Sequence, residues 1–337
     1  MWICLISICV FVISPIMIIE LCLYKLRPLI KYTRNLPNSG VDIFRRWDIP
    51  KWNRLKFYLG AIIFLYLRLL LLFTCVFMHW VSAKIVMYKF PIESQPLTSK
   101  RRAFFKLSSR FWSRTLLLAL GYWKITNHGQ AIDKVCVLVS NHTSFIDILY
   151  FLCDEDVPSL VSKNGVKGFP FIGTIATAMQ CLFIDRFEGR EEALKLIEKR
   201  EIEIAKKVGY PKLVLFPEGT TTNGTGLLYF KRGPFIAKLP VQPIVLRYPE
   251  GNFSAAIDVI PIWISAILLI CQIRNQLIVN RLPVALPRED ITIKEFAESV
   301  RATMADFMKV PMVSTTIEEK NELISKIFGY KIKDKSV

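Results

Sequence analysis

Two residue types able to do chemistry stand five positions apart in this sequence: His142 and Asp147, within Asn141-His142-Thr143-Ser144-Phe145-Ile146-Asp147. Inside one continuous helix such a pair does not share a face, because side chains meet at spacings of three and four. The two meet when His142 lies in a turn after a strand and Asp147 in the first turn of the next helix. A carboxylate there is also favoured by the helix dipole. It would hold one ring nitrogen and leave the other free to accept a proton. Imidazole, with a reference pKa of about 6.5, suits general-base work at neutral pH. Such a base activates a hydroxyl nucleophile. By itself the pair is common by accident.

Three further blocks lie downstream. Leu182-Phe183-Ile184-Asp185-Arg186 ends a short apolar run with an arginine, whose planar fork matches a phosphate; a surface arginine reads the same way. Leu215-Phe216-Pro217-Glu218-Gly219-Thr220 closes another run with a proline, an acid and a glycine. Gly219 permits a tight turn and close approach of a ligand to backbone. Glu218 is a candidate acceptor for a substrate hydroxyl, and a plain β-turn is the alternative. Val241-Gln242-Pro243-Ile244-Val245 reads as core.

The elements that must position these residues follow from hydrophobic periodicity. Residues 135–139, 182–184, 213–216 and 241–246 are short buried strand candidates. Residues 145–153 read as a helix. Residues 191–207 form a charged helix with Leu194, Ile197 and Ile204 as its apolar stripe. Strands alternating with helices predict an α/β domain.

Ahead of this domain the character changes. Residues 2–24 carry no charge before Glu20 and are long enough to span a bilayer. The basic n-region of a signal peptide is missing, so a retained anchor is expected. Residues 25–56 are rich in Lys and Arg and carry three prolines, the pattern of a basic loop facing cytosol or anionic headgroups. Residues 57–81 form a second apolar run, broken by Arg68. Both of its flanks are basic, which predicts a re-entrant or interfacial hairpin, with a true span as the alternative. A third run, 257–273, begins with a charged Asp258 and is expected to be a buried core or interfacial helix. The polar end carries Lys333 and Lys335, three and five residues from the terminus, as in a cytosolic endoplasmic-reticulum retrieval signal or a solvated basic tail.

Composition agrees with a membrane-bound chain. Of 337 residues 52% are hydrophobic, and the net charge of +17 favours anionic partners. No zinc-finger spacing or aromatic RNA-binding motif supports nucleic acid. None of the eight cysteines forms a C-x-x-C pair, which suits a reduced compartment better than a disulfide framework. Sequons occur at Asn141, Asn223 and Asn252; a glycan on Asn141 would block His142, which favours a cytosolic catalytic face.

In order and spacing the four blocks resemble the glycerolipid, or PlsC-type, acyltransferase family, with its H-x-x-x-x-D, F-I-x-R, F-P-E-G and V-P-I-V blocks. The likeness runs from about residue 135 to 286. Phe216-Pro217-Glu218-Gly219-Thr220-Thr221-Thr222-Asn223 and the stretch from Pro240 to Pro249 look like the lysophosphatidylcholine and lysophosphatidylethanolamine acyltransferase branch. Thr221 replaces an arginine common in lysophosphatidic acid acyltransferases, Gln180 replaces a glycine and Leu246 a proline. No EF-hand loop follows.

The resemblance implies a mixed-sheet α/β acyltransferase domain over 99–312. It would be preceded by membrane helices and a basic loop over 1–98 and followed by a polar lysine-rich tail over 313–337. It implies transfer of a fatty acyl group from acyl-CoA, as co-substrate, to a lysophospholipid hydroxyl, without metal or cofactor. His142 and Asp147 would be catalytic, with backbone N–H groups beside them as oxyanion donors. Arg186 and Lys163 would hold phosphate, and Glu218, Gly219 and Thr220 would line the substrate site. Partners would be membrane lipids and no nucleic acid. The alternatives are lysophosphatidic acid acylation, a CoA-independent transacylase or hydrolase, and a non-catalytic membrane-shaping protein.

Overall fold

The computed structural model describes residues 9–34, 42–185, 189–249 and 251–329. A π-helical turn at Cys9–Ile13 leads into α1 (Ser14–Lys25), and α2 (Arg27–Arg34) follows after a bend of 50°. Then come α3 (Arg54–Met87), α4 (Ser99–Ala119), β1 (Ile125–His128), β2 (Val137–Ser140), α5 (Ile146–Cys153) and β3 (Ser159–Lys163). The chain continues through α6 (Ile172–Ala178), β4 (Leu182–Ile184), α7 (Arg190–Ala205), β5 (Leu213–Leu215) and β6 (Val241–Arg247). It closes with α8 (Ile262–Ile270), β7 (Leu277–Arg281), α9 (Ile293–Met308) and α10 (Ile317–Phe328).

The strands form one sheet in the order β1-β7-β6-β2-β5-β3-β4. Neighbours are parallel except the antiparallel pair β6/β7, so the expected mixed sheet is observed. The central strands are apolar on both faces, as a sheet covered by helices requires. Alternate residues of β2 face opposite cores. Leu138 joins Tyr150 and Phe151 of α5 and Phe105 of α4, whereas Val137 and Val139 join Ile197 and Ile204 of α7 and Phe296, Val300 and Met304 of α9.

The second apolar run is one continuous helix of 34 residues, α3, rather than a re-entrant hairpin. Asn53 caps it by accepting a hydrogen bond from the Lys56 N–H. At 1.5 Å per residue it is about 50 Å long, more than the roughly 30 Å hydrocarbon core. Leu59, Ile63, Leu67, Leu70 and Phe73 are exposed along it. The charge of Arg68 points inward instead. Its guanidinium donates to the carbonyl of Ile270 (2.6 Å), the last residue of α8, and to those of Gln272 and Ile273 (3.3 Å) just beyond it. Gly60 makes this docking possible, since a Cβ there would lie 1.7 Å from the Cys271 carbonyl oxygen.

The third run is, as expected, a helix too short to span a bilayer, with Ile264, Leu268 and Leu269 in the core. The basic stretch 25–56 is not simply a loop: it contains α2, and Arg46 within it is buried. Arg46 donates to Asp48 (2.9 Å) and to the carbonyls of Ala256 and Ser254 (both 2.6 Å). The polar end carries α10, which packs on α2; Lys333 and Lys335 lie outside the described residues.

Candidate active site

β2 and β5 are adjacent and parallel, with Val139 opposite Leu215, so the chain leaves both strands on the same side of the sheet. In open α/β sheets this carboxyl-end crevice is where ligands bind. His142 stands two residues beyond β2, and Phe216 directly beyond β5. Their rings stack, with centroids 4.1 Å apart and planes 19° from parallel.

Asp147 lies in the first turn of α5, and its Oδ2 is 2.8 Å from His142 Nδ1. The same oxygen accepts the N–H groups of Thr143 (2.8 Å) and Ser144 (2.9 Å), and Oδ1 accepts the Tyr248 hydroxyl. The two backbone N–H groups and the tyrosine hydroxyl are donors to the carboxylate, and Nδ1 is a fourth when it carries the ring proton. Asp147 is fully buried, whereas the His142 side chain is 19% exposed. With Nδ1 carrying the proton shared with Asp147, Nε2 is the acceptor, and no described residue hydrogen-bonds it. Tyr248 entered the sequence reading only as part of a strand block. Burial and the nearby Asp147 push its phenol well above the usual value, so it remains a donor.

Several groups beside the pair have protein partners. The N–H groups of Thr143 and Ser144 are taken by Asp147 and that of His142 by Glu218, so they are not free to serve an oxyanion. Glu218 is engaged by the protein as well. It is buried, and its two oxygens accept the N–H of His142 (3.0 Å) and of Leu228 (3.1 Å). It ties the loop after β5 to the loop after β2. Burial raises its carboxyl to about 7 against the opposing effect of those N–H groups.

Gly219 has φ +71°, and a Cβ there would lie 2.3 Å from Lys231 Nζ. Thr220 is half-buried beside it. Lys163 is exposed at the end of β3, in register with Ile184 of β4. Arg186, two residues on, lies outside the described residues. The structure therefore assembles His142, Asp147, Glu218, Gly219 and Thr220 around the β2 and β5 ends, with Lys163 two strands away from β2.

Lys320 of α10 was not anticipated. Its buried Nζ donates to the Thr221 carbonyl (2.6 Å), the hydroxyls of Thr221 (3.0 Å) and Thr220 (3.4 Å) and the Ile257 carbonyl (3.3 Å). The neighbours of those groups hold the histidine loop: Thr222 N–H donates to the His142 carbonyl (3.0 Å), and Ile257 N–H to that of Thr143 (2.8 Å). Burial lowers the Lys320 ammonium to about 8, opposed by Asp258 and Glu218. No local motif marks it, because a lysine on a polar helix reads as solvated. Two of the three sequons are likewise structural. Asn141 exchanges hydrogen bonds with the Leu246 backbone, and Asn223 donates to the Asp42 and Arg45 carbonyls.

A histidine held by a buried carboxylate thus lies at the strand ends of a mixed sheet. The acyltransferase family model matches residues 124–247, the stretch that carries the sheet strands β1, β2, β5 and β6 and both members of the histidine–aspartate pair. Among curated relatives, the chain is 35% identical over 237 residues to the lysophospholipid acyltransferase LPEAT1 of Arabidopsis thaliana, covering 61% of this chain and 59% of that protein. It is 29% identical over 304 residues to lysophosphatidylcholine acyltransferase 2 of Rattus norvegicus, covering 86% and 54% respectively. The chain thus spans little more than half the length of these two relatives. The crystal structure of the 1-acyl-sn-glycerophosphate acyltransferase PlsC of Thermotoga maritima shares the fold, with TM-score 0.51 and 15% identity over 72% of this chain and 95% of that one.

Proposed function

We propose that this protein is an acyl-CoA-dependent lysophospholipid acyltransferase, favouring lysophosphatidylcholine or lysophosphatidylethanolamine. The His142–Asp147 pair within an acyltransferase-family domain, with its outward nitrogen unengaged among the described residues, carries this reading. Nε2 takes the proton of the free glycerol hydroxyl as its oxygen attacks the thioester carbonyl carbon. The tetrahedral oxyanion collapses, the carbon–sulfur bond breaks, and His142 returns the proton to the coenzyme A thiolate. Asp147 holds the ring and stabilises its charged form. Lys163 and Arg186 bind phosphate, and Gly219 and Thr220 line the acceptor site. No metal or cofactor takes part. The exposed apolar side of α3 supports residence in a membrane, which we place at the endoplasmic reticulum with the site facing the cytosol.

The test is acyl transfer by membranes holding wild type or His142→Ala, across a panel of lysophospholipids and acyl-CoAs. Loss of at least a hundredfold in the variant is expected. Full activity in the variant removes the mechanism. Turnover without acyl-CoA assigns the protein to the transacylases instead.

A further inference from the structure

A groove lies away from the histidine, where α1 bends into α2 and α3 begins. It is a half-open groove of about 570 Å³, within the roughly 300–1,000 Å³ range of small-molecule sites. Arg27, Lys31, Arg34 and Arg54 line its walls, and Ile30 and Trp52 contribute apolar surface. The first three follow at spacings of four and three, so they share one face of α2. Like charges so placed repel each other unless an anion sits between them. The sequence of α2, Arg-Pro-Leu-Ile-Lys-Tyr-Thr-Arg, holds no acid to relieve this. Among the described residues Lys31 and Arg34 have no carboxylate partner, and Arg27 rests on the Tyr24 ring at 4.7 Å. Arg54 shares a single exposed acid, Glu20, at 3.5 Å. The pocket therefore combines concentrated positive charge with apolar walls, at the end of the helix long enough to cross a bilayer.

We propose that this cavity binds the headgroup of an anionic phospholipid. The phosphate sits among Arg27, Lys31, Arg34 and Arg54, and the first carbons of the acyl chains lie against Ile30 and Trp52. The lipid is a fixed component beside the membrane helices, separate from the acyl acceptor at His142. This inference rests on the membrane reading above. Cationic pockets beside membrane helices take anionic headgroups for this electrostatic reason.

The test uses the full chain purified in neutral detergent, so it does not depend on bilayer insertion. Membrane partitioning, measured separately, decides the membrane reading alone. Binding of a short-chain phosphatidylglycerol is compared with that of the matching phosphatidylcholine, and inorganic phosphate is added as competitor. The expected result is selective binding of phosphatidylglycerol. Combined Arg27→Gln, Lys31→Gln and Arg34→Gln changes should weaken it on the order of a hundredfold, about fivefold for each cation. A melting curve checks folding; if the triple variant unfolds, Arg34→Gln alone should show the fivefold step. Equal binding of the two lipids, or unchanged binding in the variants, overturns the proposal. So does full displacement by inorganic phosphate at its own millimolar affinity, which would make this a free-anion site.

Discussion

Replacing Asp147 with asparagine separates the charge of the carboxylate from its geometry. Oδ2 accepts three hydrogen bonds, from His142 Nδ1 and from the N–H groups of Thr143 and Ser144, while Oδ1 faces only the Tyr248 hydroxyl. In the Asp147→Asn variant the side-chain carbonyl can take the Oδ2 position and the amide nitrogen the Oδ1 position, where the tyrosine oxygen accepts. The fold and the histidine tautomer are therefore retained. What disappears is the attraction between carboxylate and imidazolium, which exists only once His142 has taken the proton. For charge centres about 4 Å apart at an effective dielectric of about 20, that attraction is about 4 kcal/mol. Because it acts in the transition state and not on the neutral ground state, the variant should lose roughly a thousandfold in kcat with KM little changed. The assay is steady-state acyl transfer by purified wild type and variant, with melting curves alongside. An Asp147→Asn enzyme that melts normally and stays within tenfold of wild type refutes the argument.

Three other predictions follow from the same contacts. Tyr248→Phe leaves a buried carboxylate oxygen without its donor and should lower stability by about 1–3 kcal/mol, read by chemical denaturation. Glu218 has a folded value of about 7, above its ordinary 4.5, so the stability it contributes is fully present below about 4.5 and lost as pH rises through 7. The loss is on the order of 3 kcal/mol, and Glu218→Gln should flatten that part of the stability profile; an unchanged slope would contradict the assignment. Lys320→Ala should lower kcat and speed amide exchange at Thr222 and Ile257, whose N–H groups hold the His142 and Thr143 carbonyls; unaltered exchange would show that α10 does not brace the loop.

What the amino-acid order alone conveyed was local. Short runs with apolar residues on both faces announced the central strands, and the charged pattern with Ile197 and Ile204 announced α7, each within three residues of its observed ends. The His142–Asp147 spacing was decodable because a strand, a turn and a helix start follow one another in a few residues. The termini of helices were less clear, and α2 was hidden inside a basic stretch whose charges suggested a loop.

Other features depended on residues far apart in the chain, which no local pattern records. Arg68 looked like a cost at mid-span until α8 supplied carbonyls from residues about two hundred positions away. Glu218 looked like a plain turn residue or a substrate acceptor until packing brought the N–H groups of His142 and Leu228 to its two oxygens. Lys320 looked solvated until α10 brought it to Thr221 and Ile257. The sequence by itself determined the alternating α/β order, the apolar N-terminal helices and the pairing of His142 with Asp147, because periodicity and short-range spacing encode these. Only the tertiary structure decided which polar groups remain available for chemistry, because a buried donor or acceptor must be satisfied by whatever packing brings beside it.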